Sequence, residues 1–149
     1  MVTTMSAEPR NCVLIVEDNP IMADVLKRIL LRSGLEGILA RNGVEACDLI
    51  LRQRFAVIVT DFSMPRMNGD EFVRNLRVTT LNCDVPVIFV SGKGLEVDTE
   101  QMRLDLGIHA FLFKPFSPGE LIKVIHDCLK QETSQPILAV ACPSITNSE

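Results

Sequence analysis

The sequence predicts an α/β domain with a five-stranded parallel sheet. Four short apolar runs are typical of strands, and a weaker fifth lies between the first two. These runs are CVLIV (12–16), GILA (37–40), FAVIV (55–59), VPVIFV (85–90) and AFLF (110–113). The four strong runs are nearly continuous in apolar residues, as in strands that helices cover on both faces. The predicted fold is therefore a (βα)5 doubly wound, flavodoxin-like sheet.

The helices are predicted from apolar residues that recur at helical spacing between these runs. The first begins at Pro20, near a helical first turn, and stops at Gly34. A second stripe occupies 44–51, and another follows Ser117-Pro118. Residues 70–78 and 97–106 give weaker helical patterns. Because parallel strands need right-handed crossovers, such helices lie on both faces of the sheet.

Size and composition favour one globular domain. The chain has 149 residues, of which 47% are hydrophobic and 23% charged. Its net charge of −4 offers no electrostatic footprint for nucleic acid, and no run approaches the ~20 apolar residues of a membrane span. The five cysteines are odd in number and form no C-x-x-C pair, so neither a zinc site nor a disulfide framework is expected. We expect a reduced, cytoplasmic protein.

Polar residues stand where the predicted strands end. Glu17 and Asp18 follow the first strand, Asp61 follows the third, Ser91 the fourth and Lys114 the fifth. Ligand sites of open α/β sheets lie beyond the carboxyl ends of the strands, where the strand order reverses. The fold therefore brings three carboxylates, a hydroxyl and an ammonium to one edge.

This set of groups indicates phosphoryl chemistry. Three clustered carboxylates repel each other, and oxygen ligands of this kind suit Mg²⁺, which takes few protein carboxylates. Lys114 adds a positive charge, and Ser91 can donate a hydrogen bond. A carboxylate that accepts a phosphoryl group here would act as the nucleophile of aspartyl-phosphate chemistry.

At these residues the sequence resembles the receiver domain of two-component response regulators. The matching motifs are VEDNP (16–20), VTDFSMPRMNGDEF (59–72), VSGKG (90–94) and FLFKPF (111–116), within a resemblance that covers roughly residues 11–130. The spacings fit as well, with 43 residues from Asp18 to Asp61, 30 from there to Ser91 and 23 on to Lys114. One motif alone is a weak signal, whereas four in order are a strong one.

The resemblance implies a role for each residue of the site. Asp61 would be the phosphoacceptor, and Lys114 would bind the phosphoryl group. Glu17, Asp18, Asp61 and the backbone carbonyl of Ser63 would hold Mg²⁺. The donor would be a phosphohistidine on a sensor histidine kinase or a phosphotransfer protein, and the output an unknown downstream protein.

The resemblance also implies a switch. Ser91 would be the switch hydroxyl, and Phe111 matches the family's switch aromatic, although plain core is an equal reading of Phe111. The Lys114-Pro115 bond is expected to be cis, as in similar family members. The Asn68-Gly69 pair reads as a turn with positive φ before a helix.

The expected organisation is a flexible N-terminus (1–10), the receiver domain (11–130) and a mobile C-terminal tail (131–149). The tail loses helical spacing and gains Ser, Thr and Pro. With no appended effector, the chain is expected to be a stand-alone receiver or a relay, or else a piece cut from a longer protein.

Two other functions are weighed against a phosphorylation-operated module that is not an enzyme. A Mg²⁺-dependent phosphohydrolase with an aspartyl nucleophile resembles D-x-D-x-[TV], but DFSMP places Ser63 where that enzyme has its general acid. A receiver-like scaffold that is never phosphorylated would not need the complete set of phosphoryl-site residues, which includes both Asp61 and Lys114. The sequence therefore favours the phosphoacceptor module.

Overall fold

The computed structural model describes residues 12–92 and 98–134, with side chains as far as Lys130. Strands and helices alternate along the chain. The strands are β1 (Cys12–Val16), β2 (Glu36–Ala40), β3 (Val57–Asp61), β4 (Val87–Ser91) and β5 (Ile108–Phe113). The helices are α1 (Pro20–Arg32), α2 (Gly43–Arg52), α3 (Gly69–Arg77), α4 (Thr99–Leu106) and α5 (Pro118–Ser134). The predicted class of fold is confirmed.

All five strands form one parallel sheet in the order β2-β1-β3-β4-β5. The chain passes from β1 outward to β2 and returns to the other side of β1 as β3. The strand order therefore reverses between β1 and β3. In a doubly wound sheet a crevice opens at this point beyond the carboxyl ends of the strands, which places a site at the ends of β1 and β3.

Each face of the sheet carries its own hydrophobic core. On one face, Leu14 and Phe89 pack with buried residues of α2, α3 and α4. On the other, Ile15 and Val59 pack with buried residues of α1 and α5. Successive strand residues point to opposite faces. Covering both faces explains why the strand sequences are continuously apolar rather than alternating.

Four of the five strands differ in their boundaries from the predicted runs, and β2 begins one residue earlier than predicted, at Glu36. The third run was expected at 55–59, but β3 begins at Val57 because the Phe55 N–H donates to the side chain of Asn82 instead. β4 begins after Pro86, which has no N–H to donate. β5 begins two residues earlier than predicted. β3 and β4 also end later than predicted, so that Asp61 and Ser91 are the last residues of their strands rather than the residues that follow them.

Helix starts are set by polar side chains at the N-cap. The side chains of Asn19, Asn42 and Asp98 accept hydrogen bonds from backbone N–H groups of the first turns of α1, α2 and α4. At the other end of the domain, α5 continues to Ser134, so that the helix includes the first four residues of the predicted tail. The rest of that tail and the predicted flexible N-terminus lie outside the described residues.

The described cysteines differ in state. Cys12 and Cys47 are free thiols, whereas Cys83 is disulfide-bonded, although no disulfide is expected from the sequence. None of the described helices has the length and apolar composition that a membrane span needs.

Candidate functional site

Three carboxylates meet where the strand order reverses. Glu17 directly follows β1, Asp18 follows it, and Asp61 ends β3. Their carboxylate oxygens lie within 4.8 Å of one another. Glu17 is 3% exposed and Asp61 9% exposed, while Asp18 faces solvent. The structure thus brings together the three predicted acids, with two of them largely shielded from water.

The environment of the two buried acids disfavours their charged forms. Burial raises the pKa of Glu17, the Asp61 charge raises it further, and Lys114 and the Asn19 N–H oppose the shift. Burial also raises the pKa of Asp61, against Lys114 and the N–H groups of Ser63 and Phe62. A divalent cation among these oxygens would offset their repulsion, and an all-oxygen ligand set suits Mg²⁺. The residues present therefore fit this ion.

Lys114 places the one ammonium of the predicted site beside these acids. It directly follows β5, and its Nζ lies 3.7 Å from Oε1 of Glu17. Its backbone N–H donates to the Ser91 carbonyl at 2.7 Å, which ties the end of β5 to the end of β4. The predicted cis bond between Lys114 and Pro115 is present. The Lys114 side chain is 24% exposed and therefore lies at the rim of the cluster.

Ser91 and Phe111 lie on the same face of the sheet. Ser91, which is 6% exposed, pairs in register with Phe113, and Phe89 pairs with Phe111. Positions two apart on a strand share a face, so Phe111 is the diagonal neighbour of Ser91. The Phe111 ring is half-buried and tilted against Phe89, with centroids 5.5 Å apart. The predicted neighbourhood of hydroxyl and aromatic is thus present.

Ser63 lies in the loop between β3 and α3. Its side chain is exposed, and its N–H donates to the Asp61 carboxylate. The predicted role of its carbonyl as a metal ligand stays a prediction. The same loop returns to β3 at its far end, where the Gly69 N–H donates to the Phe62 carbonyl at 2.7 Å.

The predicted positive φ at Asn68-Gly69 is wrong. Asn68 is the N-cap of α3 with φ of −70°, and the residue in the left-handed region is Arg66, with φ of 73°. Gly69 is required by close approach instead. A Cβ there would lie 2.7 Å from the Asp61 carbonyl oxygen and 2.9 Å from the Phe89 ring. The start of α3 therefore packs directly on the backbone of the expected phosphoacceptor.

Sequence reasoning missed the contribution of Asn19. Its side chain accepts hydrogen bonds from the N–H groups of Ile21 and Met22, while its own N–H donates to Oε2 of Glu17 at 3.3 Å. One residue therefore caps α1 and holds the Glu17 carboxylate. An Asn directly before Pro20 is the signal for the cap, but nothing in the sequence indicates the second contact.

The fold and the site define a class: a flavodoxin-like α/β domain with an acidic cluster and a lysine at the switch point of its sheet. Comparison with known proteins narrows this class. Residues 13–126 match the family model described as "Response regulator receiver domain". The chain belongs to this family, and it is a receiver domain of phosphorylation-based two-component signalling.

Individual relatives agree with this assignment. The chain is 35% identical over 118 residues to a chemotaxis protein CheY homolog of Campylobacter jejuni, covering 78% of this chain and 90% of the relative. It is 30% identical to the probable transcriptional regulator ycf29 of Pyropia yezoensis, over 80% of this chain. It spans 53% of that relative, so it matches about half of the longer protein.

A solved structure gives the same architecture with a metal. The receiver domain of sensor histidine kinase PA1611 from Pseudomonas aeruginosa PAO1 has a magnesium ion coordinated in its active site cleft. It superposes with a TM-score of 0.73 at 29% identity, covering 80% of this chain and 98% of that one. Vibrio cholerae chemotaxis protein CheY4 superposes equally well, also with a TM-score of 0.73.

Proposed function

We propose that Asp61 accepts a phosphoryl group from a phosphohistidine of a histidine kinase or phosphotransfer protein. The observation that carries this proposal is the cluster of three carboxylates within 4.8 Å, with the Lys114 ammonium beside it. Asp61 is the member that ends a buried strand, and the N–H groups of Phe62 and Ser63 orient its carboxylate. An oriented carboxylate beside a positive charge is suited to attack phosphorus.

The transfer forms one covalent bond to the protein, at Asp61, and breaks one bond in the donor. A carboxylate oxygen of Asp61 attacks phosphorus, an O–P bond forms, and the P–N bond to the imidazole breaks. The electron pair of that bond returns to the ring nitrogen, and the donor leaves as neutral histidine when its other ring nitrogen carries a proton. Lys114 then offsets the charge of the transferred group, which remains as an acyl phosphate until water removes it.

Glu17, Asp18 and Asp61, with the backbone carbonyl of Ser63, would hold Mg²⁺. This ion supplies positive charge against the phosphoryl oxygens when it is bound. Magnesium in the active site cleft of the PA1611 receiver domain supports the assignment. The Asn19 N–H fixes one Glu17 oxygen and leaves the other towards Lys114, so this carboxylate is held in place before any ligand arrives.

The chain is proposed to act as a phosphoacceptor and not as an enzyme with a separate substrate. Ser63 has no acidic proton to give a leaving group, which disfavours the phosphohydrolase. Raised pKa values at Glu17 and Asp61 favour a working site over an inert scaffold. The cytoplasmic location that is expected from the sequence stays a prediction.

Phosphorylation is proposed to act through Ser91 and Phe111. A phosphoryl oxygen on Asp61 would draw the Ser91 hydroxyl inward, and the Phe111 ring would move into the space that the hydroxyl leaves. This would change the face formed by residues 98–130, which would bind the downstream protein. A hydrogen bond to a charged group is worth about 1.5–3 kcal/mol, enough for a population change of roughly tenfold to a hundredfold.

The position of the acyl phosphate tests this proposal. The protein is incubated with phosphoramidate, a small donor with a P–N bond, in Mg²⁺ or in EDTA. Borohydride then reduces an aspartyl phosphate to homoserine, which peptide mass spectrometry locates. We expect homoserine at position 61 only when Mg²⁺ is present. Homoserine at position 18 instead, or equal yield in EDTA, would contradict the proposal.

A further inference from the structure

Arg77, the last residue of α3, has its guanidinium among main-chain carbonyl oxygens. Its Nε donates to Leu106 at 2.8 Å, and its Nη2 donates to Gly107 at 3.0 Å. Its Nη1 donates to Val85 at 2.7 Å and to Cys83 at 3.2 Å. One side chain therefore joins three segments: the end of α3, the segment before β4 and the end of α4.

These contacts make Arg77 a cap for a helix other than its own. Leu106 ends α4 and Gly107 is its C-cap in the left-handed conformation. The last carbonyl groups of a helix lack intrahelical donors, and a cation near them is favoured by the helix dipole. Burial lowers the pKa of Arg77 to about 10, opposed by Asp84, so that the guanidinium stays charged at neutral pH.

The rest of α4 is held much less firmly. Leu106 is its buried residue, and Met102 packs only partly against the same core. Leu104 is 71% exposed. Arg103 adds a hydrogen bond to the His109 carbonyl at 3.2 Å, again towards the C-terminal end. Within the residues that the structure describes, the contacts of α4 with the rest of the domain are thus concentrated in its last turn.

We propose that Arg77 is a positioning residue that fixes the C-terminal end of α4 and makes this end the pivot of the helix. The N-terminal part of α4 then opens or shifts while the last turn stays in place. This asymmetry exists in the unphosphorylated protein. In the phosphorylated protein, this asymmetry would determine how the change at Ser91 and Phe111 moves α4. This second part of the proposal rests on the proposed function.

Hydrogen exchange of the unphosphorylated protein tests the pivot without any phosphoryl group. The Met102 N–H donates to Asp98 and the Gly107 N–H to Arg103, so both amides are bonded and their exchange can be compared. We expect the Gly107 amide to exchange at least about tenfold more slowly than that of Met102. Equal rates in the wild type would overturn the proposal, and this comparison needs no variant.

The variant Arg77→Lys keeps the charge but loses the planar fork of donors. In this variant we expect the Gly107 amide hydrogen to exchange about tenfold or more faster than in the wild type. The matched control is Arg74→Lys, an exposed arginine on the same helix, which should keep the wild-type difference. A folded Arg77→Lys protein with unchanged Gly107 exchange would overturn the assignment.

Beryllofluoride with Mg²⁺, a stable phosphoryl mimic, tests the second part. Amide shift changes along α4 should be largest near Thr99 and should decline to Gly107, and Arg77→Lys should flatten this gradient. Changes as large at Gly107 as at Met102 in the wild type would show that the end is not a pivot. If the mimic changed no shift in the chain, the proposed function would fail while the exchange result would still decide the role of Arg77.

Discussion

The ammonium nitrogen of Lys114 lies 3.7 Å from the Oε1 atom of Glu17, inside the neighbourhood of a second buried acid, Asp61. The charge of Lys114 lowers the pKa of both carboxyls, yet burial raises the pKa of each by more. In the part of the chain that the structure describes, one cation therefore serves two shielded carboxylates and the exposed Asp18. The metal-free site therefore carries excess negative charge, and the effect of this charge on the stability of the fold should be measurable.

Metal-free protein should lose stability as the pH rises. The folded pKa values of Glu17 and Asp61 are raised above 4.5 and 3.8, so the folded state holds protons that the unfolded chain has released. This contribution is complete below those values and is lost as the pH rises through the folded ones. The measurement is the melting temperature in EDTA between about pH 4 and about pH 8.

The Glu17→Gln variant isolates this effect from other titrating groups. Its melting temperature in EDTA should fall less with pH than that of the wild type, and the exposed control Glu100→Gln should follow the wild type. Saturating Mg²⁺ should reduce the wild-type fall, because the ion stabilises the charged carboxylates. A Glu17→Gln profile identical to the wild type in EDTA would contradict the proposed charge imbalance.

Asp18→Asn should weaken Mg²⁺ binding by about tenfold or more while the metal-free fold stays intact or gains slight stability. The variant removes one ligand charge and also one source of repulsion. Calorimetric titration with Mg²⁺ and urea unfolding in EDTA measure the two effects. The control Asp24→Asn changes an exposed acid outside the cluster, paired with Arg28, and should leave Mg²⁺ affinity unchanged. Unaltered affinity with strongly reduced stability in Asp18→Asn would indicate a structural role.

Gly69→Ala should cost about 1–3 kcal/mol of folding free energy. The added methyl would meet the Asp61 carbonyl oxygen at 2.7 Å, a backbone atom that cannot turn aside. Gly119→Ala is the control, since its Cβ would have nothing closer than Ser117 Oγ at 3.8 Å. Urea denaturation of both variants measures the difference. A neutral Gly69→Ala would mean that α3 does not rest on the Asp61 backbone as described.

Ser91→Ala should still accept a phosphoryl group on Asp61 but lose most of the response on residues 98–130. The hydroxyl supplies the hydrogen bond that distinguishes the two states, and a ligand shifts an equilibrium only by its differential affinity. Amide chemical shifts with and without beryllofluoride and Mg²⁺ measure this response. Shift changes equal to those of the wild type would show that Ser91 is not the switch and that Phe111 is ordinary core.

The sequence was sufficient for the fold and for the acids of the site. Apolar runs of strand length alternate with helical spacing, and parallel topology then places Glu17, Asp18 and Asp61 at one edge. Boundaries were harder to predict, because Phe55 is as apolar as the strand it precedes. Its N–H bonds to Asn82, a residue 27 positions away, which no local pattern reports.

The same limit applies to residues that act through distant contacts. Gly69 reads as a turn residue, whereas its role comes from the approach of Asp61 and Phe89. Arg77 reads as an ordinary basic residue at a helix end, yet its partners lie up to 30 residues along the chain. Such contacts depend on how α3 packs against its neighbours, and no local pattern in a single sequence predicts this packing.

Intact mass of the protein after incubation with acetyl phosphate and Mg²⁺ tests the central claim most directly. We predict that the wild type gains the mass of one phosphoryl group, that acid or base removes it, and that Asp61→Asn gains none. An Asp48→Asn control, which changes an exposed acid on α2, should be labelled like the wild type. Undiminished labelling of Asp61→Asn would contradict the assignment of Asp61 as the phosphoacceptor.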